Sequence, residues 1–255
     1  MSSIDSVLQE GLLVDRKWLT RHNINRPAVD YYVRSGALTA VSRGIYRKPG
    51  PPLKWQNIVY SLNQIGYSAY VGQMSALQFH GYQHYLNLSG GETINLYSYK
   101  KLPRWIYDVY HKGEFCQGVR NPFPEGCSVG IVDIAFGTWD WPIPYSTAER
   151  GFVELLSTVK TADDIRHVDT LFEGAASLRP QVVQELLEDC LQVKAKRLFL
   201  WLANRHNHTW YNSLDQSRIN LGSGKRQIVK DGILNNHFMI TVPVEMKSEQ
   251  TEPIF

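Results

Sequence analysis

Residues 15–48 read DRKWLTRHNINRPAVDYYVRSGALTAVSRGIYRK, and this stretch decides how the N-terminal part of the chain folds. Asp15 stands where an N-cap would open a short helix from Arg16 to about His22, with Trp18 and Leu19 on its apolar face. Asn23 and Ile24 make a tight turn. Asn25 is a second N-cap, and Pro27 falls in the first turn of the next helix, where its missing N–H costs nothing. That helix buries Val29, Tyr32 and Val33, which recur at helical spacing. Gly36 sits where a left-handed helix terminus is expected. Leu38–Val41 and Ile45–Lys48 are strand-like runs joined by Ser42-Arg43-Gly44, a hairpin with Arg43 at its tip. The pattern predicts a winged helix-turn-helix.

The chemistry of the open side fits a nucleic acid. Arg26, Asp30, Tyr31 and Arg34 are left on the exposed side of the second helix, and a basic hairpin follows, as a major groove flanked by phosphates would require. Eight basic residues against two acids give this window a net charge of +6, whereas the whole chain is +3. Positive charge is therefore concentrated where phosphate must be neutralised. Arg26, Tyr31 and Arg34 are the expected base readers, with Asp30 tuning base choice or orienting an arginine. Lys17, Arg21, Arg43, Arg47 and Lys48 are the expected grips on phosphate or the minor groove. The alternative is a small helical protein-interaction module with a solvated basic face.

Longer motifs carry a resemblance. Tyr31-Tyr32-Val33-Arg34-Ser35-Gly36 and Leu38 to Gly50, ending Arg43-Gly44-Ile45-Tyr46-Arg47-Lys48-Pro49-Gly50, resemble the recognition helix and wing of AbiEi-type antitoxins. Ser75-Ala76-Leu77-Gln78-Phe79-His80-Gly81 and Ser146-Thr147-Ala148-Glu149-Arg150 agree with the same family. The resemblance covers roughly residues 4 to 180. It implies a transcriptional repressor that binds a double-stranded DNA operator and also counters a nucleotidyltransferase-like toxin, without need of a stable complex between the two.

Composition bounds the remainder. Hydrophobic content of 43% and a mean hydropathy of −0.30 are ordinary for a soluble globular protein. No apolar run approaches membrane-spanning length, and Met1-Ser2-Ser3-Ile4-Asp5 lacks the basic and apolar regions of a signal peptide. Three widely spaced cysteines, Cys116, Cys127 and Cys190, read as free thiols in a reducing compartment. A cytoplasmic protein without a membrane partner is expected.

Lys48-Pro49-Gly50-Pro51-Pro52 is the clearest breaker and places the expected boundary, residues 1–50 for DNA binding and 51–255 for a larger mixed α+β domain. A first helix is expected over Ile4–Glu10. After the breaker, helices are expected over Trp55–Ile65, Met74–His80, Asp163–Glu173 and, as one long amphipathic helix, Pro180–Asn204. Ser146–Glu149 reads as a capping box opening a further helix to about Val159. Strands are expected at Tyr70-Val71, Thr93–Tyr99, Trp105–Tyr110, Ser128–Phe136 and Ile233–Val244. Lys194, Lys196, Arg197 and Arg205 read as the wet face of the long helix, with an accessory DNA- or toxin-binding surface as the alternative. Trp139-Asp140-Trp141-Pro142 is either a buried aromatic plug, the favoured reading, or an exposed hot spot.

Enzyme signatures are weak. His80 and His84 have the spacing of a helical metal pair, but Gly81 between them ends the helix. His206 and His208 read as solvated. Gly222-Ser223-Gly224-Lys225-Arg226 fails as a phosphate loop because Ile219 stands where the pattern needs glycine, leaving a basic turn within reach of DNA phosphate. Glu245-x-Lys247 invites a metal-dependent nuclease only if a further carboxylate, such as Asp231 or Asp133, joins it. No enzyme, cofactor or metal is expected. A stand-alone transcription factor with a ligand-sensing or dimerising larger domain is the alternative function.

Overall fold

In the computed structural model, residues 4–82, 92–118 and 120–246 are described. The chain runs α1 (Ile4–Val7), β1 (Val14–Asp15), α2 (Arg16–Arg21), α3 (Arg26–Arg34), β2 (Thr39–Ser42), β3 (Ile45–Arg47), α4 (Trp55–Gln64) and β4 (Tyr70–Val71). It continues through α5 (Gln73–Phe79), β5 (Glu92–Tyr97), α6 (Trp105–Val109), β6 (Gly113–Gln117), β7 (Ile131–Phe136) and β8 (Trp141–Ser146). Then follow α7 (Ala148–Thr158), α8 (Ala162–Glu173), α9 (Pro180–Asp189), α10 (Val193–Arg205), β9 (Ile233–Asn235) and β10 (Ile240–Val242).

Two compact units result. The first takes described residues 4–71, 92–118 and 132–145; the second takes 72–82, 120–131 and 146–246. In the first unit α2 and α3 stand against a small sheet of order β1-β3-β2, a winged-helix-like arrangement. The local chemistry explains both helices. Asp15 Oδ1 accepts the Trp18 N–H at 2.7 Å, and Asn25 Oδ1 accepts that of Ala28 at 3.1 Å. Asn23, at φ 62°, and Gly36, at φ 77°, supply the left-handed residues that stop the helices. Leu8, Leu12, Trp18, Leu19, Val29 and Leu38 form the core beneath, each worth about 1.5–3 kcal/mol on burial. A five-stranded sheet of order β6-β5-β4-β8-β7 completes this unit.

The expected break at residues 48–52 lies inside the first unit. Trp141 shares the winged-helix core, stacks on Tyr60 at 4.4 Å and donates its indole N–H to Gln9 at 2.8 Å. The backbone N–H of Leu13 reaches the Ser61 hydroxyl at 2.9 Å. Of the tryptophan pair, Trp141 is thus the plug, whereas Trp139 is 53% exposed.

The second unit packs α5 and α7–α10 around Phe152, Phe172, Phe199 and Trp201, with the β9–β10 hairpin alongside. Several expectations fail in instructive ways. Trp105–Val109 is helix, not strand: neighbouring Trp105 and Ile106 are both buried while Tyr107 is exposed, a pattern that no alternating strand gives. The single helix over Pro180–Asn204 is two, broken where Cys190 turns extended and exposed Leu191 donates its N–H to Pro122. Every residue of α10 from Ala195 to Ala203 is buried, so Lys196 and Arg197 are not its wet face. Ile233–Val244 folds back as a hairpin rather than one strand. Ser146 ends β8 instead of opening a capping box; Thr147 takes the cap position. The first helix stops at Val7, the strand expected from Ser128 starts only at Ile131, and β6 and β8 were not foreseen. Pro142 and Pro144 disguise β8.

Candidate nucleic-acid interface

Helix α3 turns Val29 inward and leaves Arg26, Asp30, Tyr31 and Arg34 exposed, with Tyr31 at 62%. Arg34 Nε donates to the Asp30 carbonyl at 3.2 Å, which lays the guanidinium stem along the helix. A shallow cleft lined by Asp30, Val33, Arg34, Ala40 and Tyr46 runs between α3 and the hairpin strands. Arg16 Nε donates to the Tyr46 hydroxyl at 3.0 Å, a bond that raises the arginine pKa and pins α2 to β3. Lys17 and Arg21 are exposed on α2, one turn apart, and Arg43 is exposed at the hairpin tip beside Gly44.

Two of the nine expected contacts lie differently. Arg47 is half-buried, and its guanidinium donates to the carbonyls of Gly50 at 2.5 Å and Pro51 at 3.0 Å; burial lowers its pKa. Lys48 pairs with Asp5 at 2.7 Å. Both therefore fasten the strand exit to its surroundings. Lys17, Arg21, Arg26, Asp30, Tyr31, Arg34 and Arg43 face solvent.

The remaining candidates have internal partners. Arg197 donates to the carbonyls of Leu221, Gly222, Gly224 and Met239 at 2.7–3.2 Å, so the glycine turn is held from beneath. Lys194 donates to the Val159 carbonyl at 2.6 Å. His206 and Arg205 both meet Asp169, at 2.8 and 3.1 Å, and buried His208 bonds the Phe172 carbonyl; neither histidine is freely solvated. Burial lowers the His208 pKa. Glu245 accepts from Arg166 at 2.6 Å, while Lys247 and His84 lie outside the described residues. His80 Nε2 hydrogen-bonds the Ser146 carbonyl at 2.9 Å. Among the described residues no cluster of three or more His, Cys, Asp or Glu could hold a metal ion.

The Ser146–Arg150 motif, read from sequence as a capping box, is a buried scaffold. Arg150 and Glu154 pair at 3.0 Å with both side chains fully buried. Ser146 and the Gln73 N–H donate to Glu154, Arg150 donates to the carbonyls of Cys127 and Val129, and its guanidinium sits 4.2 Å over the Phe123 ring. Full satisfaction of both charges is what makes such burial tolerable. Glu149 is buried too. Burial alone would raise its pKa, but hydrogen bonds from Arg179 outweigh it and hold the carboxyl at about 2.

The chain thus combines a winged-helix-like module bearing a basic outer face with mixed α+β structure. Residues 1–88 match a family described as the transcriptional regulator AbiEi antitoxin N-terminal domain, and residues 92–243 one described as the transcriptional regulator AbiEi antitoxin of type IV TA systems. The chain belongs to this AbiEi antitoxin family of transcriptional regulators, and the match runs well beyond residue 180. It is also similar in fold to the crystal structure of the RV2827C protein from Mycobacterium tuberculosis, with TM-score 0.53 and 14% identity over 91% of this chain and 86% of that one. No curated protein matches. No helix among the described residues is long and apolar enough to cross a membrane.

Proposed function

We propose that this protein is a sequence-specific repressor of its own operon that also counteracts a nucleotidyltransferase-like toxin encoded beside it. The observation that carries the DNA-reading half is the division of labour along α3. Val29 holds the helix in the core, while Arg26, Asp30, Tyr31 and Arg34 face solvent together. Arg26 and Arg34 lie eight positions apart, about 12 Å along the axis, a span that matches several base pairs. Each presents a fork suited to the O6 and N7 edge of guanine. Arg43 at the hairpin tip, with Lys17 and Arg21 on α2, supplies phosphate contacts. The toxin-directed half rests on family membership. The operator is double-stranded DNA, and the site of action is the cytoplasm.

Selection of random duplexes by the full-length protein tests the reading. One enriched motif is expected, together with repression of a reporter carrying that motif. Recovery of no motif, with binding indifferent to sequence, contradicts it.

A further inference from the structure

The basic face does not stop at the wing. Helix α6 packs against β2, the edge strand of the small sheet, and Ser42 donates to Asp108 of α6 at 3.3 Å, next to Arg43 at the hairpin tip. A cleft is lined on the wing side by Val41 and Arg47 and on the other by Asp108, His111 and Lys112. Arg104 lies one helical turn before Asp108 and so shares its side of α6. Residues 99–112 contain four Lys or Arg against one acid, a net of +3. With +6 in residues 15–48 and +3 overall, the rest of the chain sums to −6.

The cations differ in availability. Lys100 is tied to the Gly66 carbonyl at 2.5 Å, and Arg47 and Lys48 are held as described. Arg104 and Lys112 are exposed, and among the described residues neither enters an ion pair. Of the acids nearby, Asp108 is bonded by Ser42, Glu92 accepts from Trp55 and Tyr110, and Glu114 is exposed on β6. Neither Arg104 nor Lys112 is tied into the packing, and both add positive charge beside the wing.

We propose that α6 and the turn after it form a second phosphate-binding surface, in which Arg104 and Lys112 grip the duplex backbone beyond the base pairs read by α3 and the wing. This rests on the winged-helix reading above. A partner with repeating negative charge suits the feature, because each neutralised phosphate releases counterions and adds affinity without adding sequence preference.

The test uses full-length protein and a duplex selected by it, in a trimmed form ending at the wing's footprint and a form extended by flanking base pairs. Wild-type protein should bind the extended duplex more tightly and with a steeper salt dependence. In the Arg104→Ala/Lys112→Ala variant that advantage should vanish, and the slope of log K against log salt on the extended duplex should flatten by about 1.8. A folded variant that keeps the wild-type advantage and slope overturns the proposal. Ethylation interference with wild-type protein gives an answer independent of any variant. Interfering phosphates outside the wing's footprint are expected, and interference ending at that footprint overturns the proposal. If no duplex is selected at all, the winged-helix reading itself fails, an outcome distinct from either of these.

Discussion

Basic residues of similar sequence context divide into those left exposed and those tied to the backbone. Arg43 projects from the hairpin tip, whereas Arg47, four residues on, spends its guanidinium on two backbone carbonyls. Arg43→Ala should therefore flatten the salt dependence of DNA binding by about one unit at unchanged stability. Arg47→Ala should instead cost about 0.5–1.5 kcal/mol of stability with little change in salt slope. Paired urea titrations and anisotropy series separate the two. Nothing in the run Ile45-Tyr46-Arg47-Lys48 distinguishes a phosphate contact from a fastener, because the carbonyls that claim Arg47 belong to the Pro-rich exit whose path only the fold defines. Glu149 makes the complementary case. Its folded pKa of about 2 lies below the ordinary value of 4.5, so the stability it adds is full above about pH 4.5 and is lost as pH falls toward 2. Glu149→Gln should lower stability near pH 7 by on the order of 2–3 kcal/mol and flatten the acid limb of the stability curve. Urea melts at pH 7 and pH 3 measure both; an unchanged acid limb would contradict the Arg179 pairing.

Elements with local signals were legible, and those defined by long-range packing were not. Asp15, Asn25, Pro27 and Gly36 fix α2 and α3 through caps and left-handed stops that act within a few residues. Helix α6 has only five residues, too few to show a period, and Trp105-Ile106-Tyr107 reads equally well as strand until its burial is known. Helix α10 misled through its charges. Lys196 and Arg197 look like a solvated face, but residues 195–203 of the helix are all buried, and Arg197 donates to carbonyls of the loop at residues 221–224 and to that of Met239, which also accepts from the Arg226 N–H. Arg197→Met should destabilise the protein by about 2–4 kcal/mol, because it removes those hydrogen bonds. Arg197→Lys should recover only part, since an ammonium has three donors and lacks the planar fork that reaches four carbonyls. Denaturant unfolding gives the values. Wild-type stability in Arg197→Met would contradict the buried role.

At the scale of the molecule, the winged-helix-like module is not a detachable bead. Trp141, Tyr60 and Ser61, all beyond the Pro-rich breaker, pack on or bond to residues before it. A cut at residue 50 therefore uncovers a tryptophan and a tyrosine, and loss of function in the fragment 51–255 would report unfolding as readily as mechanism. The breaker was legible and so was a buried plug in Trp139–Pro142, but that Trp141 closes the core formed before the breaker leaves no local trace in sequence. Substitution separates the two jobs more cleanly than truncation. Full-length Arg26→Ala/Arg34→Ala, expressed from a foreign promoter, should lose operator repression yet still protect cells from the neighbouring toxin. Loss of protection by the folded variant would tie neutralisation to DNA reading. The central claim, that the open face of α3 reads bases, is tested most directly by fluorescence anisotropy of that same variant on the selected duplex and on a scrambled one of equal length. Each arginine should be worth about 1–3 kcal/mol of specific affinity. The account predicts that the variant's preference for the selected duplex collapses toward one while its affinity for scrambled DNA falls far less; an unchanged ratio between the two duplexes would contradict it.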